Sequence, residues 1–384
     1  MGESAAILPF AWQIPRLALH LQCDFSSTKL NQFLKRSVSL FQTAFRLHAI
    51  IGCALVSGTL ALPQSQIFKF HASDTCPYTV PSHINVFGAI TGTCSTGPGA
   101  RTHGFVRDAQ GNITIFDPAG STFTSPISIN NQGYITGYYV TDGGAFGFVR
   151  APDGSFAAFN FTSPQFATLP ADINAAGDIT GSVAGLPSTP GFLRAPNGTF
   201  TPINVPFQIK GTVPFAINEV GYITGAYFTV GGIPQGFLYE PSGSYILFQA
   251  GFQGTLPLGI NRENTIAGFY TAPPNQQGGF LRTADGTITL FPLPAGGTIP
   301  PTGLFFYARA TSGLFGGLNL AGAVVGTYRD QNNDAKGFLR APDGTLTVID
   351  LGPGNTTAVE INDSGQITGS YLFNGKSVGY LWEP

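Results

Sequence analysis

The sequence predicts an all-β fold: a seven-bladed β-propeller of four-stranded antiparallel blades, closed by an N-terminal outer strand. Three observations predict it. One unit recurs seven times at a near-constant period. Each unit has room for four short strands bounded by turn-forming residues. The repeat region also opens on an isolated fourth strand and stops after a third.

Two landmarks define the unit. The first is Ile-Asn or its equivalent, followed three residues on by Gly and then by a short β-branched run ending in Gly. It starts at Asn85, Asn130, Asn174, Asn218, Asn261, Asn319 and Asn362. These numbers differ by 45, 44, 44, 43, 58 and 43. Asn264 replaces the first Gly in one copy, which fits because Asn also tolerates positive φ. The second landmark is Gly-Phe-Leu/Val-Arg at Gly104, Gly147, Gly191, Gly236, Gly279 and Gly337, with Tyr239 in place of Arg in the copy at Gly236 and Gly379-Tyr380-Leu381-Trp382 as the last copy.

The strands follow in order. Strand a ends at Ile-Asn. Strand b is the Ile-Thr-Gly-x-Tyr run, as at Ile135 to Tyr139. Strand c is Gly-Phe-Leu-Arg, and strand d alternates after a turn, as in Thr345-Leu346-Thr347-Val348-Ile349. Alternation of apolar and polar residues marks half-buried strands. The c–d turn is nearly constant, as in Ala151-Pro152-Asp153-Gly154 and Ala341-Pro342-Asp343-Gly344. There Pro presets φ and Gly accepts a positive one. Pro202 falls in one strand d, so d is expected at the outer edge. The isolated strand Gln66 to Phe70 aligns with strand d, Phe70 matching Phe116. It is expected to complete the last blade and close the ring.

The paired motifs resemble the bacterial extracellular repeat family named for its His-Ala-Phe motif, the HAF repeat. The resemblance spans roughly Cys76 to Trp382, and His103-Gly104-Phe105 is the nearest local copy. Phe146, Pro190, Gln235, Gly278 and Lys336 occupy other His positions. The resemblance implies an exported repeat protein and assigns no catalytic residue.

Only 10% of residues are charged and the net charge is −2. The propeller region holds no basic patch to neutralise phosphates, so nucleic acid is not an expected partner. Residues 1–65 lie outside the repeat and read as a leader, with 66–384 as the propeller. Lys29 to Arg36 is basic, residues 49–62 are apolar, and Thr59-Leu60-Ala61 offers small residues for cleavage. This is the layout of a secretory signal. A short helix packed on the propeller and a lipid-attachment box at Ile50-Ile51-Gly52-Cys53 are the alternatives. The expected location is therefore secreted, periplasmic or cell-surface, with no membrane anchor after signal removal. Cys76 and Cys94 are left as an even pair, which reads as a disulfide fastening the closing strand to blade one; buried free thiols are the alternative.

Connectivity puts the a–b and c–d turns on one face and the b–c and d–a loops on the other. The first set is uniform and the second varies, so binding is expected on the b–c/d–a face. The longest d–a loop carries Leu304, Phe305, Phe306 and Tyr307, a candidate contact loop or a plug for the channel mouth. Two residues before each Asn, on the innermost strand, stand His83, Ser128, Asp172, Ala216, Gly259, Gly317 and Glu360. His83, Asp172 and Glu360 form a candidate channel site, with His83 and Glu360 adjacent across the closure. A His beside a carboxylate serves acid–base chemistry or metal binding; plain polar lining of a solvated channel is the alternative. A working site would need access from the b–c/d–a face.

The Arg residues ending strand c are expected to pair with turn Asp side chains, and the Asn residues to bond their own turns. Asp330-Gln331-Asn332-Asn333-Asp334 has oxygen ligands at alternate positions, but Ala335 stands where a calcium loop needs Gly, so a hairpin turn is expected. No nucleophile elbow, phosphate loop or zinc motif is present. The reading is a secreted, monomeric binding or scaffold module for an extracellular glycan or protein, with no cofactor or metal. A hydrolase or lyase with a central-channel site is the alternative.

Overall fold

The computed structural model describes residues 65–163, 165–185, 190–206, 210–299 and 317–383. The leader expected over residues 1–65 lies outside them, Ser65 apart, as does the candidate contact loop Leu304 to Tyr307. The described residues form seven four-stranded antiparallel sheets. Blade one is Tyr78–Ile84, Ile90–Ser95, Thr102–Arg107 and Ile113–Phe116, paired in that order. Among the described residues the single helical element is a 3-10 turn at Pro294–Gly296.

The last blade is built from both ends of the repeat region. Thr356–Ile361, Ile367–Phe373 and Lys376–Glu383 supply strands a to c, and Gln66–Phe70 supplies the outer strand. Phe70 pairs with Gly379 and Gln66 with Glu383. Pro202 lies on an outer strand, Phe200–Ile203, where a missing N–H removes no ladder bond to a further strand.

The landmarks are packing devices. The strand c aromatics Phe105, Phe148, Phe192, Phe237, Phe280, Phe338 and Tyr380 are at most 1% exposed. Burying each contributes about 1.5–3 kcal/mol. The Gly before each lets the strand d ring lie flat: a Cβ on Gly104 would come within 2.5 Å of Phe116, and one on Gly147 equally close to Phe159. The buried Thr of Ile-Thr-Gly donates to the carbonyl of that aromatic residue, as Thr91 does to Phe105 at 2.8 Å and Thr368 to Tyr380 at 2.8 Å. Cys76 and Cys94 are disulfide-bonded, joining the segment after the closing strand to strand b of blade one.

Candidate functional site

Strand a carries a register shift in six blades, at Pro81/His83, Pro126/Ser128, Pro170/Asp172, Pro214/Ala216, Pro257/Gly259 and Ala358/Glu360. A bulge bends the strand and re-aims the residue after it. Proline suits this place because strand a is the inner edge of its sheet and offers its free side to the channel.

Five of the re-aimed residues, His83, Asp172, Ala216, Gly259 and Glu360, line one central cavity of about 270 Å³. His83 Nε2 lies 3.8 Å from Glu360 Oε2, across the junction of blades one and seven. That is ion-pair range but beyond hydrogen-bond reach. Glu360 leans into space left by blade six, where a Cβ on Gly317 would come within 2.8 Å of its Oε1. Asp172 is held firmly. It accepts hydrogen bonds from Ser128 Oγ at 2.7 Å, Ile173 N at 2.9 Å and Ile217 N at 3.0 Å, so it ties blades two, three and four together. Asp172 and Glu360 are buried, at 8% and 6% exposure.

The cavity faces the end opposite to the expected one. Its rim is made of a–b turn residues, namely Asn131, Glu219, Arg262, Leu320 and Asp363, and its described lining includes no b–c or d–a loop residue. The reason is distance along the strand. A residue two positions before the a–b turn is about 7 Å from that end and much further from the other.

The turn asparagines do more than the expected local bonding. Asn85 Oδ1 accepts from the N–H groups of Phe87 and Ala89, as expected of a residue opening a tight turn. Its Nδ2 then donates to the carbonyl of Asn130 in the next blade, at 3.0 Å. The pattern runs on through Asn130, Asn174, Asn218, Asn261 and Asn319, and Asn362 returns it to Asn85. Seven side chains thus form a closed belt around the cavity. The constant residue was visible in the sequence, but its second partner lies about 44 positions away, where spacing alone gives no signal.

The expected Arg–Asp pairing is not what forms. Among the described residues, Arg107, Arg150, Arg194, Arg282 and Arg340 make no ion pair with a turn carboxylate. Each donates Nη1 to the next residue's carbonyl. Each also lies over a Phe of the preceding blade's strand d, Arg150 at 4.8 Å from the Phe116 centroid and Arg194 at 4.7 Å from Phe159. A guanidinium over an aromatic face gains from the ring quadrupole. Burial there lowers the Arg150 pKa from its ordinary value. The turn Asp residues instead accept from their own turns. The backbone N–H of Ser155 holds Asp153 below the usual carboxylate range, and that of Thr345 does the same for Asp343. Asp330 accepts from Asn332 N and Asp334 N at 2.9 Å in a hairpin turn.

One cluster was not anticipated. His103 Nδ1 lies 2.6 Å from Asp117 Oδ2, joining the start of strand c to the end of strand d on the b–c/d–a face. Arg101 Nη2 and Thr124 Oγ1 also donate to Asp117. Blade six repeats the arrangement with Lys336 and Asp350 at 2.7 Å, which raises the Lys336 pKa. The lone His-Gly-Phe copy held the signal. Among the described residues, no three His, Cys, Asp or Glu side chains group as metal ligands. None of their helices is long and apolar enough to cross a membrane.

No family model matches the chain, and no curated protein sequence is similar to it. Its fold resembles that of a streptogramin B lyase, with 14% identity, a TM-score of 0.54, and 83% of this chain and 97% of that one covered. It also resembles a catalytically inactive virginiamycin B lyase from Staphylococcus aureus with quinupristin, at 13% identity and a TM-score of 0.53 over 83% and 99% of the chains. A puromycin hydrolase matches at 12% identity and a TM-score of 0.52, over 81% of this chain and 53% of its own. At such identities the likeness is one of fold, and the fold is the β-propeller.

Proposed function

We propose that this chain is an exported propeller that binds an extracellular glycan or protein through its b–c/d–a face. The supporting observation is the difference between the two ends of the ring. At the a–b end, seven turns share one hydrogen-bonded belt and leave little to vary. At the other end the connections differ from blade to blade in length and residue type. Export is supported by the signal-like leader, the HAF-type motifs and the Cys76–Cys94 bond. The test is to probe the full chain against a glycan array and a panel of extracellular proteins. Specific capture, abolished by changing b–c residues, is expected; capture unaffected by such changes would remove this reading.

The second reading is a hydrolase or lyase at the central cavity, favoured by the His83–Glu360 contact. At 3.8 Å the two side chains form an ion-pair contact rather than a direct hydrogen bond. The described lining holds no Ser, Thr, Cys or Lys, so its ionisable groups are those that would carry the chemistry, His83, Asp172 and Glu360 among them. Turnover of quinupristin, puromycin or a simple ester panel that vanishes in both His83→Gln and Glu360→Gln would establish it.

A further inference from the structure

The blades are near copies, so a departure from the repeat marks a local demand. Two residues after the strand b glycine, five blades carry tyrosine: Tyr139, Tyr227, Tyr270, Tyr328 and Tyr371. Each faces a strand c residue across the sheet. The partners are Phe146, Gln235, Gly278, Lys336 and Val378. In blade two Phe146 stacks on Tyr139, with centroids 5.5 Å apart and planes 25° from parallel. In blade five that covering side chain is missing, because the partner is Gly278.

A recess of about 510 Å³ lies at this place, on the b–c/d–a face. Tyr270, Asn275, Gln276, Gln277, Leu290 and Thr298 are among its lining. The tyrosine is wedged in position. A Cβ on Gly278 would stand 2.7 Å from its Cε1, and one on Gly251 3.0 Å from its Cδ2. Gln277 is anchored by accepting Ile299 N at 2.7 Å, and Thr298 by a reciprocal backbone pair with Arg329 at 2.9 and 2.8 Å. The described lining holds no Asp, Glu, Lys, Arg or His.

We propose that this recess binds a neutral saccharide unit, an inference that rests on the b–c/d–a face being the binding face. A pyranose presents a C–H face that packs on an aromatic ring, and hydroxyls that each donate and accept. Asn and Gln amides do both, and three stand together here beside one fixed tyrosine. A charged ligand would lose its hydration with no counter-charge to replace it. The volume falls within the range of small-molecule sites. Aromatic cover of a cross-strand glycine accounts for Tyr270 alone and gives the neighbouring amides no role.

The experiment uses the full chain, a glycan array, and calorimetric titration with cellobiose, maltose and chitobiose. Binding of neutral glycans is expected, with affinity falling about tenfold in Tyr270→Ala and about threefold in the exposed Gln276→Ala. Should Tyr270→Ala melt early, Gln276→Ala and shifts of the Gln276 and Gln277 side-chain amide signals on disaccharide addition decide the matter. Glycan binding that survives both folded variants overturns the site but leaves the binding face standing. Capture of a protein by this face without any glycan overturns the saccharide while the broader reading survives. No capture of either kind overturns both.

Discussion

Asn362 Nδ2 donates to the carbonyl of Asn85 at 3.0 Å, across 277 positions of sequence, and so completes the belt around the central cavity. Each belt residue works twice, with Oδ1 holding its own turn and Nδ2 holding the next blade. Replacing Asn85 by Ala therefore strands two half-buried turn N–H groups and cuts one inter-blade bond. Urea denaturation of Asn85→Ala is expected to show a loss of about 1–3 kcal/mol. Asn85→Asp keeps the acceptor and removes only the donor. If the two variants behaved like wild type, the belt would be incidental to stability.

The Arg–Phe stacks make the second prediction. Arg150 lies over Phe116 of the preceding blade and donates to the Ala151 carbonyl. Arg150→Lys keeps the charge but loses the planar fork. A double-mutant cycle with Phe116→Leu is expected to give a coupling of about 0.5–2 kcal/mol. A coupling of zero would mean the stacking is only close packing.

Acid sensitivity is expected to concentrate in the c–d turns. Asp108 is lowered first by the Asn112 side chain, Asp153 by Ser155 N–H, Asp285 by the Thr283 hydroxyl and Asp343 by Thr345 N–H. A carboxylate whose folded pKa is depressed adds stability above its unfolded value, near 3.9. That stability is lost as pH falls through the folded value, so these turns weaken below about pH 4. Blade three uses Asn197 at the same position, accepting from Thr199 N at 2.9 Å without a charge. Asp153→Asn with Asp343→Asn should narrow the gap between melting temperatures at pH 3 and pH 6. An unchanged gap would place the acid sensitivity elsewhere.

The Cys76–Cys94 bond closes a loop of 18 positions beside the closing strand. Changing both to Ser is expected to cost about 2–4 kcal/mol. Hydrogen exchange should rise first in residues 66–70. Equal exchange in the two forms would show that the bond does not restrain the closure.

Much of this was legible because a repeat compares the chain with itself. Seven copies of the turn Asn and of the Gly-aromatic pair located every blade, and the orphan Gln66–Phe70 with the truncated last copy implied closure. The meeting of His83 with Glu360 followed from ring order alone. What the repeat hides is distance between blades. The Arg150 guanidinium lies near the turn Asp153 in sequence, yet Phe116 from the preceding blade lies under it. Asn85 gives no hint of Asn130 as a partner. The bulges had a readable sign, since Pro81, Pro126, Pro170, Pro214 and Pro257 sit in strands that read as ladder members. What would have placed the cavity at the a–b end is distance along the strand, since His83, Asp172 and Glu360 each stand two positions before the turn Asn.

The pairing of Phe70 with Gly379 also sets an order of events in synthesis. A ribosome releases the outer strand of the last blade before any other part of the ring, and its partner strand almost last. That edge must therefore stay unpaired, with Ile67 and Phe68 in reach of other chains, until nearly the whole polypeptide is made. The blades between have low contact order and can assemble as they emerge; the ring itself has a very high one.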